Sequence, residues 1–298
     1  MNKYVIFHVD GGIGKNIQAT SVAHAIAEHH PDRRLIVVAS WLEPWIHNPK
    51  IWRYYRNGIT PYFHEDFIQD QDTVVYRAEP YHSTGYHKKQ ASLPEAWCDM
   101  IGVPFKEIDT RLYFNQLEVE EAKCWLQKNC NKPIMLLQTS GGSVANPTFP
   151  FSWFRDIPAP IAQRVVDHFK HKYNILHIGY QEQYKLQDVF SLSVPLRNLM
   201  SLFPYSEKRL FMDSFSQHAA AALNLPSVTC WIANSSKVFG YPIHKNIHSK
   251  IDFTLAQNFD GYLDAFGLQS PNFLCPSNYD LQTVLNVDEI IAAVEAQQ

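Results

Sequence analysis

Residues 3–16 read Lys3-Tyr4-Val5-Ile6-Phe7-His8-Val9-Asp10-Gly11-Gly12-Ile13-Gly14-Lys15-Asn16, an apolar run of strand length that breaks into glycines. A helical stretch from Lys15 to His30 follows. The pattern starts again at Pro133-Ile134-Met135-Leu136-Leu137-Gln138, which runs into Thr139-Ser140-Gly141-Gly142-Ser143, with a helix expected over 160–173. A strand, a glycine turn and a helix, given twice, are the opening of a βα unit that feeds a parallel sheet. The class is therefore α/β.

The remaining apolar runs fit that frame. Segments 34–40, 73–79, 174–179, 209–213 and 227–232 read as strands, and 118–130, 214–223 and 287–296 as helices. The chain has 298 residues, more than one core usually serves, so two domains are expected. The boundary falls near 129–133, giving a first domain over 1–130, a second over 131–280, and a final segment, 281–298, whose helix is expected to pack back towards the first domain. With 46% hydrophobic and 18% charged residues, the chain has ample apolar surface to offset the entropy of ordering its backbone. A net charge of −3 offers no general attraction to a phosphate polymer, which argues against a nucleic-acid partner. No run approaches the roughly 20 apolar residues of a membrane helix, and the five cysteines form no CxxC pair. A reducing, cytoplasmic setting is expected, with peripheral membrane contact left open.

Three segments carry chemistry. In the turn His8 to Asn16, glycines let the backbone approach a ligand, and free N–H groups at the helix start attract anions. The segment is no Walker loop, because Asn16 follows Lys15 and Val9 stands at the upstream glycine position; nor is it a dinucleotide fingerprint, because Ile17 replaces the third glycine. A ligand-free turn and an anion site both remain open on this motif alone. The second turn, Thr139 to Ser143, adds hydroxyls, and two such turns facing each other would form a cleft for two partners. The third segment runs from Asp213-Ser214-Phe215-Ser216-Gln217-His218 through four alanines to Pro226-Ser227-Val228. Here a strand ends at Asp213 and Ser214 can cap the helix that follows. A Ser–His nucleophile pair is disfavoured, since no Gly-x-Ser-x-Gly elbow is present.

That third string resembles the nucleotide-sugar signature of the lipopolysaccharide heptosyltransferases, glycosyltransferase family nine, and Gly12-Ile13-Gly14 through Asn16, Ala19-Thr20, Ala25 and Pro31 are similar to the family's opening turn and helix. The resemblance implies the GT-B fold of two facing Rossmann-like domains and an inverting, metal-independent transferase. Its partners would be a nucleotide sugar and a carbohydrate or glycolipid acceptor, with no cofactor. It places the donor with Thr139, Ser140, Gly141, Gly142, Arg155, Gly179, Asp213, Ser214, Phe215 and His218, and gives Glu182 the donor ribose. Gly11, Gly12, Gly14, Lys15 and Asn16 fall on the acceptor side. Two departures stand out. Lys15 occupies the place of the family's aspartate base, which leaves Asp10 and His8 as candidates, and no lysine lies between Thr139 and Asp156, where Arg155 is the one cation. A catalytically silent sugar-nucleotide-binding relative, serving regulation or assembly, is the second reading. The aromatics Trp41, Trp45, Trp52, Tyr54, Tyr55 and Tyr62 suit either sugar faces or the core.

Overall fold

The computed structural model describes residues 2–141, 152–179, 184–251 and 278–297. It divides into two units, Met1–Asn115 and Gln116–Gln298, each built on a parallel sheet.

In the first unit, β1 (Lys3–Val9) is followed by α1 (Ile13–His29), β2 (Arg34–Ala39), β3 (Arg53–Arg56), α2 (Phe63–Phe67), β4 (Asp72–Arg77), α3 (Thr84–His87) and α4 (Leu93–Ile101). The strand order is β3-β2-β1-β4, all parallel. Alternation sorts the strands' side chains: Val5, Phe7, Leu35 and Val37 pack with Ala19, Val22, Ala23 and Ile26 of α1 and with Trp97 of α4. Tyr4, Ile6, Ile36 and Val38 face the other way, onto Phe67 of the short α2. Helix α1 is buried on its polar side too, because residues 109–111 cross it. The Thr20 and Ser21 hydroxyls there accept from the backbone N–H of Arg111 (3.1 Å) and Asp109 (2.9 Å).

The second unit contains α5 (Gln116–Asn129), β5 (Ile134–Leu137), α6 (Ala159–Phe169), β6 (Asn174–Ile178), β7 (Phe190–Leu192), α7 (Leu196–Ser201), β8 (Lys208–Met212), α8 (Phe215–Ala222), β9 (Val228–Trp231), α9 (Ser236–Phe239), β10 (Lys245–His248) and α10 (Val287–Glu295). Its order, read from one edge, is β7-β6-β5-β8-β9-β10. Both sheets therefore run outward from their first strand and then reverse, which is the doubly wound order with a switch point beside that strand. The switch lies between β1 and β4 in the first sheet and between β5 and β8 in the second.

Two boundary expectations are corrected. Helix α5, expected to close the first domain, belongs to the second unit, where Glu118 grips Arg197 of α7 at 2.5 Å. The final helix was expected to pack back towards the first domain. Instead its apolar stripe, Val287, Ile290 and Val294, is buried in the second unit's own core with Val165 and Phe169 of α6. The three strands missing from the sequence reading, β3, β7 and β10, are all sheet edges. Trp45 is core, fully buried. Among the described residues no helix is long and apolar enough to cross a membrane.

Polar bonds inside the second unit fix three neutral histidines. His244 Nε2–H donates to the Gln217 carbonyl at 2.9 Å, so Nδ1 is the acceptor for the Ser227 N–H at 3.2 Å. His218 Nδ1 lies 3.1 Å from the Tyr241 hydroxyl, and His177 Nε2 lies 2.9 Å from Thr139 Oγ1. Burial pushes His177 and His244 down to about 4 and His218 to about 3, from 6.5. Burial pushes Asp156 the other way, up to about 6 from 3.8. The histidines' contribution is present above pH 6.5 and is lost as pH falls, because the unfolded chain binds the protons first. Asp156 opposes this between pH 3.8 and 6, one group against three. The urea midpoint should therefore fall from pH 6.5 to 4, and His244→Gln should flatten that slope; a midpoint independent of pH over this window would refute the assignment.

Candidate functional site

Ligands of open α/β sheets sit beyond the carboxyl ends of the strands at the switch point, and both glycine turns lie there. In the first unit β1 ends at Val9, and Gly11 turns the chain with φ +96, a conformation side chains rarely adopt. Gly12 is the N-cap residue of α1 and makes no side-chain cap. Asn16 Nδ2 reaches back to the Gly12 carbonyl at 3.0 Å. Gly14 lies in the first helical turn.

Asp10 is held open to solvent at this edge, its side chain 41% exposed. Oδ1 accepts from Asn57 Nδ2 at 2.5 Å, and Oδ2 lies 3.4 Å from His8 Nδ1 and 3.7 Å from the Arg77 guanidinium. His8 Nε2 also lies 3.3 Å from Asn57 Oδ1, so Asn57 links His8 to the carboxylate across two strand ends. The sequence reading named Asp10 and His8 but not Asn57, whose only signal is its place just after an unrecognised edge strand.

Lys15 does not face a ligand. Its side chain is 5% exposed, and Nζ makes bonds of 2.7 and 2.6 Å to the two oxygens of Glu79, beyond the end of β4. The rings of Tyr81 and Trp97 lie at 5.1 and 5.2 Å. Within the loop expected on the acceptor side, Lys15 therefore turns inward and pairs its charge inside the unit. Glu79 went unnoticed because nothing in the sequence links positions so far apart.

In the second unit, Thr139 and Ser140 are buried at the end of β5. A Cβ on Gly141 would stand 2.6 Å from Ser214 Oγ, so only glycine permits this approach of the turn to the start of α8. The turn is clamped from behind. Asp156 accepts from Gly141 N at 3.3 Å and Ser152 N at 2.8 Å, and Arg155 donates to the Gly141 carbonyl at 2.5 Å. Asp213 accepts from Asn234 Nδ2 at 2.5 Å.

Ser214 occupies the N-cap position but makes no side-chain cap, which corrects the capping expectation; its hydroxyl faces Gly141 instead. The first-turn N–H groups of α8 then have no side-chain acceptor from that residue. Among the described residues, the buried hydroxyls of Ser140 and Ser216 also have no hydrogen-bond partner. Phe215 opens α8, and Gly179 is exposed just past β6. His218 is 4% exposed, and its Nδ1 lies 3.1 Å from the Tyr241 hydroxyl. Gly142 and Glu182 lie outside the described residues.

No family model and no curated protein matches the chain. Solved structures do. A family-nine glycosyl transferase from Veillonella parvula matches with a TM-score of 0.70 at 13% identity, covering 98% of this chain and 96% of that one. The E. coli ADP-heptose lipopolysaccharide heptosyltransferase II matches at 0.62 and 11%, over 89% and 99%. The iron-containing dodecameric glycosyltransferase TibC, from enterotoxigenic E. coli, matches in its complex with ADP-D-β-D-heptose at 0.63 and 14%, over 99% and 77%. At these identities the likeness carries the fold: two Rossmann-like units of the GT-B class.

The buried Lys15 gives a direct test. Removing one partner of a buried ion pair strands the other charge, at about 3–5 kcal/mol, and Glu79's partial exposure should reduce this to about 2 kcal/mol for Glu79→Gln. In Lys15→Met/Glu79→Gln most of that loss should return in urea unfolding. Equal losses in the single and double variants would show that no charge is stranded.

Proposed function

We propose that the chain is a glycosyltransferase that moves a sugar from a nucleoside-diphosphate sugar to a hydroxyl of a carbohydrate or glycolipid, with inversion and without a metal. The observation that carries the reading is the close approach of Gly141 to Ser214 at the opening of α8, beside the β5/β8 switch point, where the first turn of that helix has no side-chain cap. A diphosphate leaves as a polyanion, and N–H groups already aimed at it stabilise the charge that develops as the glycosidic bond breaks. Arg155 adds a cation beside Gly141. Glu182 is assigned the donor ribose on the resemblance alone.

On the acceptor side, Asp10 takes the proton of the attacking hydroxyl. A general base must be an accessible, ionised acceptor held in place, and Asp10 has both the exposure and the hold of Asn57. His8 positions Asp10 through Asn57 and shares the developing charge. An ADP-sugar is the first donor to try, because TibC is known in complex with one.

The second reading, a silent sugar-nucleotide-binding module, draws on the Lys15–Glu79 pair, which fills the place of the family's aspartate with an internal ion pair. The two readings part on turnover. A thermal-shift panel of ADP, UDP, GDP and CDP sugars should show stabilisation by one base, since a ligand of the folded state raises apparent stability by mass action. Asp10→Ala should then lower transfer by about 10²–10⁴-fold with nucleotide affinity unchanged. Unaltered turnover would remove Asp10 from the role, and a panel with no stabilisation would remove the donor site.

A further inference from the structure

The opposite end of the first sheet carries a second cluster, unrelated to the glycine turns. Of the ten arginines, six lie within 4 Å of a carboxylate: Arg33, Arg77, Arg111, Arg155, Arg164 and Arg197. A seventh, Arg209, is buried against the carbonyls of Ser206 and Pro226. The remaining three, Arg34, Arg53 and Arg56, are exposed and have no carboxylate within 4.0 Å among the described residues. All three belong to adjacent strands. Arg34 begins β2 and Arg53 begins β3, so these two meet at the amino-terminal edge of the sheet.

There they share one indole. The Arg53 and Arg34 guanidinium carbons lie 4.3 and 4.9 Å from the Trp52 ring centroid. Trp52 is itself braced by Tyr4, stacked at 5.6 Å with an interplanar angle of 21°, and by Phe67 at 6.1 Å. Arg53 also donates to the Tyr55 hydroxyl at 3.4 Å. From Lys50 to Tyr62 the chain has three cations and no acid. Asp32, two residues before Arg34, pairs with Lys3 at 2.6 Å, and Glu65 and Asp66 on α2 form no ion pair with these arginines among the described residues.

Two like charges held on one ring without a counter-charge repel, and an anion between them removes that cost. Planar guanidinium forks accept the oxygens of a phosphate in pairs, and forks already fixed by stacking lose less freedom on binding. We propose that Arg34 and Arg53, mounted on Trp52, form a binding site for a phosphate group. The group is carried either by a soluble phosphorylated molecule or by an anionic lipid headgroup. The site is independent of the transferase reading, since it uses none of the residues at the carboxyl ends of the strands.

The test uses the full chain and inorganic phosphate, followed by ³¹P line broadening at constant ionic strength. Wild type should bind saturably, Arg34→Gln/Arg53→Gln should bind at least tenfold more weakly, and Arg53→Lys, which keeps the charge but loses the fork, should fall between. The urea midpoint and the response to the nucleotide panel should be the same in all three, so a failure of the donor reading leaves this comparison intact. Sedimentation with vesicles of phosphatidic acid in phosphatidylcholine distinguishes the sources. Binding that the double variant abolishes assigns a lipid headgroup, whereas phosphate binding without vesicle binding assigns a soluble ligand. Equal phosphate and vesicle binding by wild type and double variant, or an equal response to chloride, would overturn the proposal and leave the arginines as covers for the aromatic ring.

Discussion

Gly141 and Ser214 approach so closely that a single methyl group would not fit between them, and this contact fixes how the second sheet ends at its switch point. Strands β5 and β8 are neighbours, and the switch point of an open α/β sheet leaves a crevice beyond such strand ends. The protein closes part of that space with backbone. Asp156 ties Gly141 and Ser152 together, at a cost visible in its raised protonation range. A buried carboxylate that could be replaced by an apolar residue is retained where backbone N–H groups need an acceptor, because an unpaired buried N–H costs more than the acid does. The turn is therefore rigid by construction, and its rigidity keeps the α8 N–H groups aimed at one place.

The first unit meets the same constraint with charge. Its turn is shaped by Gly11 and filled by Lys15, and a buried ammonium requires a partner. Glu79 supplies it from the other side of the switch point. The two units thus share a strand order but not a solution, one using a glycine contact and the other an ion pair under aromatic rings.

Much of this plan was readable from residue order. The central strands β1, β2, β5, β6, β8 and β9 are continuous apolar runs because both faces are covered, and helices follow β1, β5, β8 and β9 directly. Edge strands lack that signature: β3 reads Arg53-Tyr54-Tyr55-Arg56 and β10 reads Lys245-Asn246-Ile247-His248, sequences that resemble loops until a neighbour pairs with them. At the site, both glycine turns and Asp10 could be read locally. Glu79, Asn57 and Asp156 could not, since each acts on a partner that only the fold brings near. His218 has a partner of the same kind. The resemblance gave it to the donor site, and only the fold shows that Tyr241, 23 residues further on, lies within 3.1 Å of its ring.

The substitution at Lys15 bears on where a base can be. In the family pattern an acid follows the last glycine; here a cation does, and the acid precedes the glycines at Asp10. Counted by charge, Lys15 and Glu79 cancel, since both oxygens of Glu79 are bonded to the one ammonium. What remains open at the end of β1 is one carboxylate, held by Asn57, with Arg77 at 3.7 Å too far for a hydrogen bond. An exposed carboxylate with a distant cation keeps its oxygens free for an incoming hydroxyl, which a carboxylate locked to a buried lysine does not. Glu79 is thereby committed to the buried pair, while Asp10 stays exposed at the end of β1.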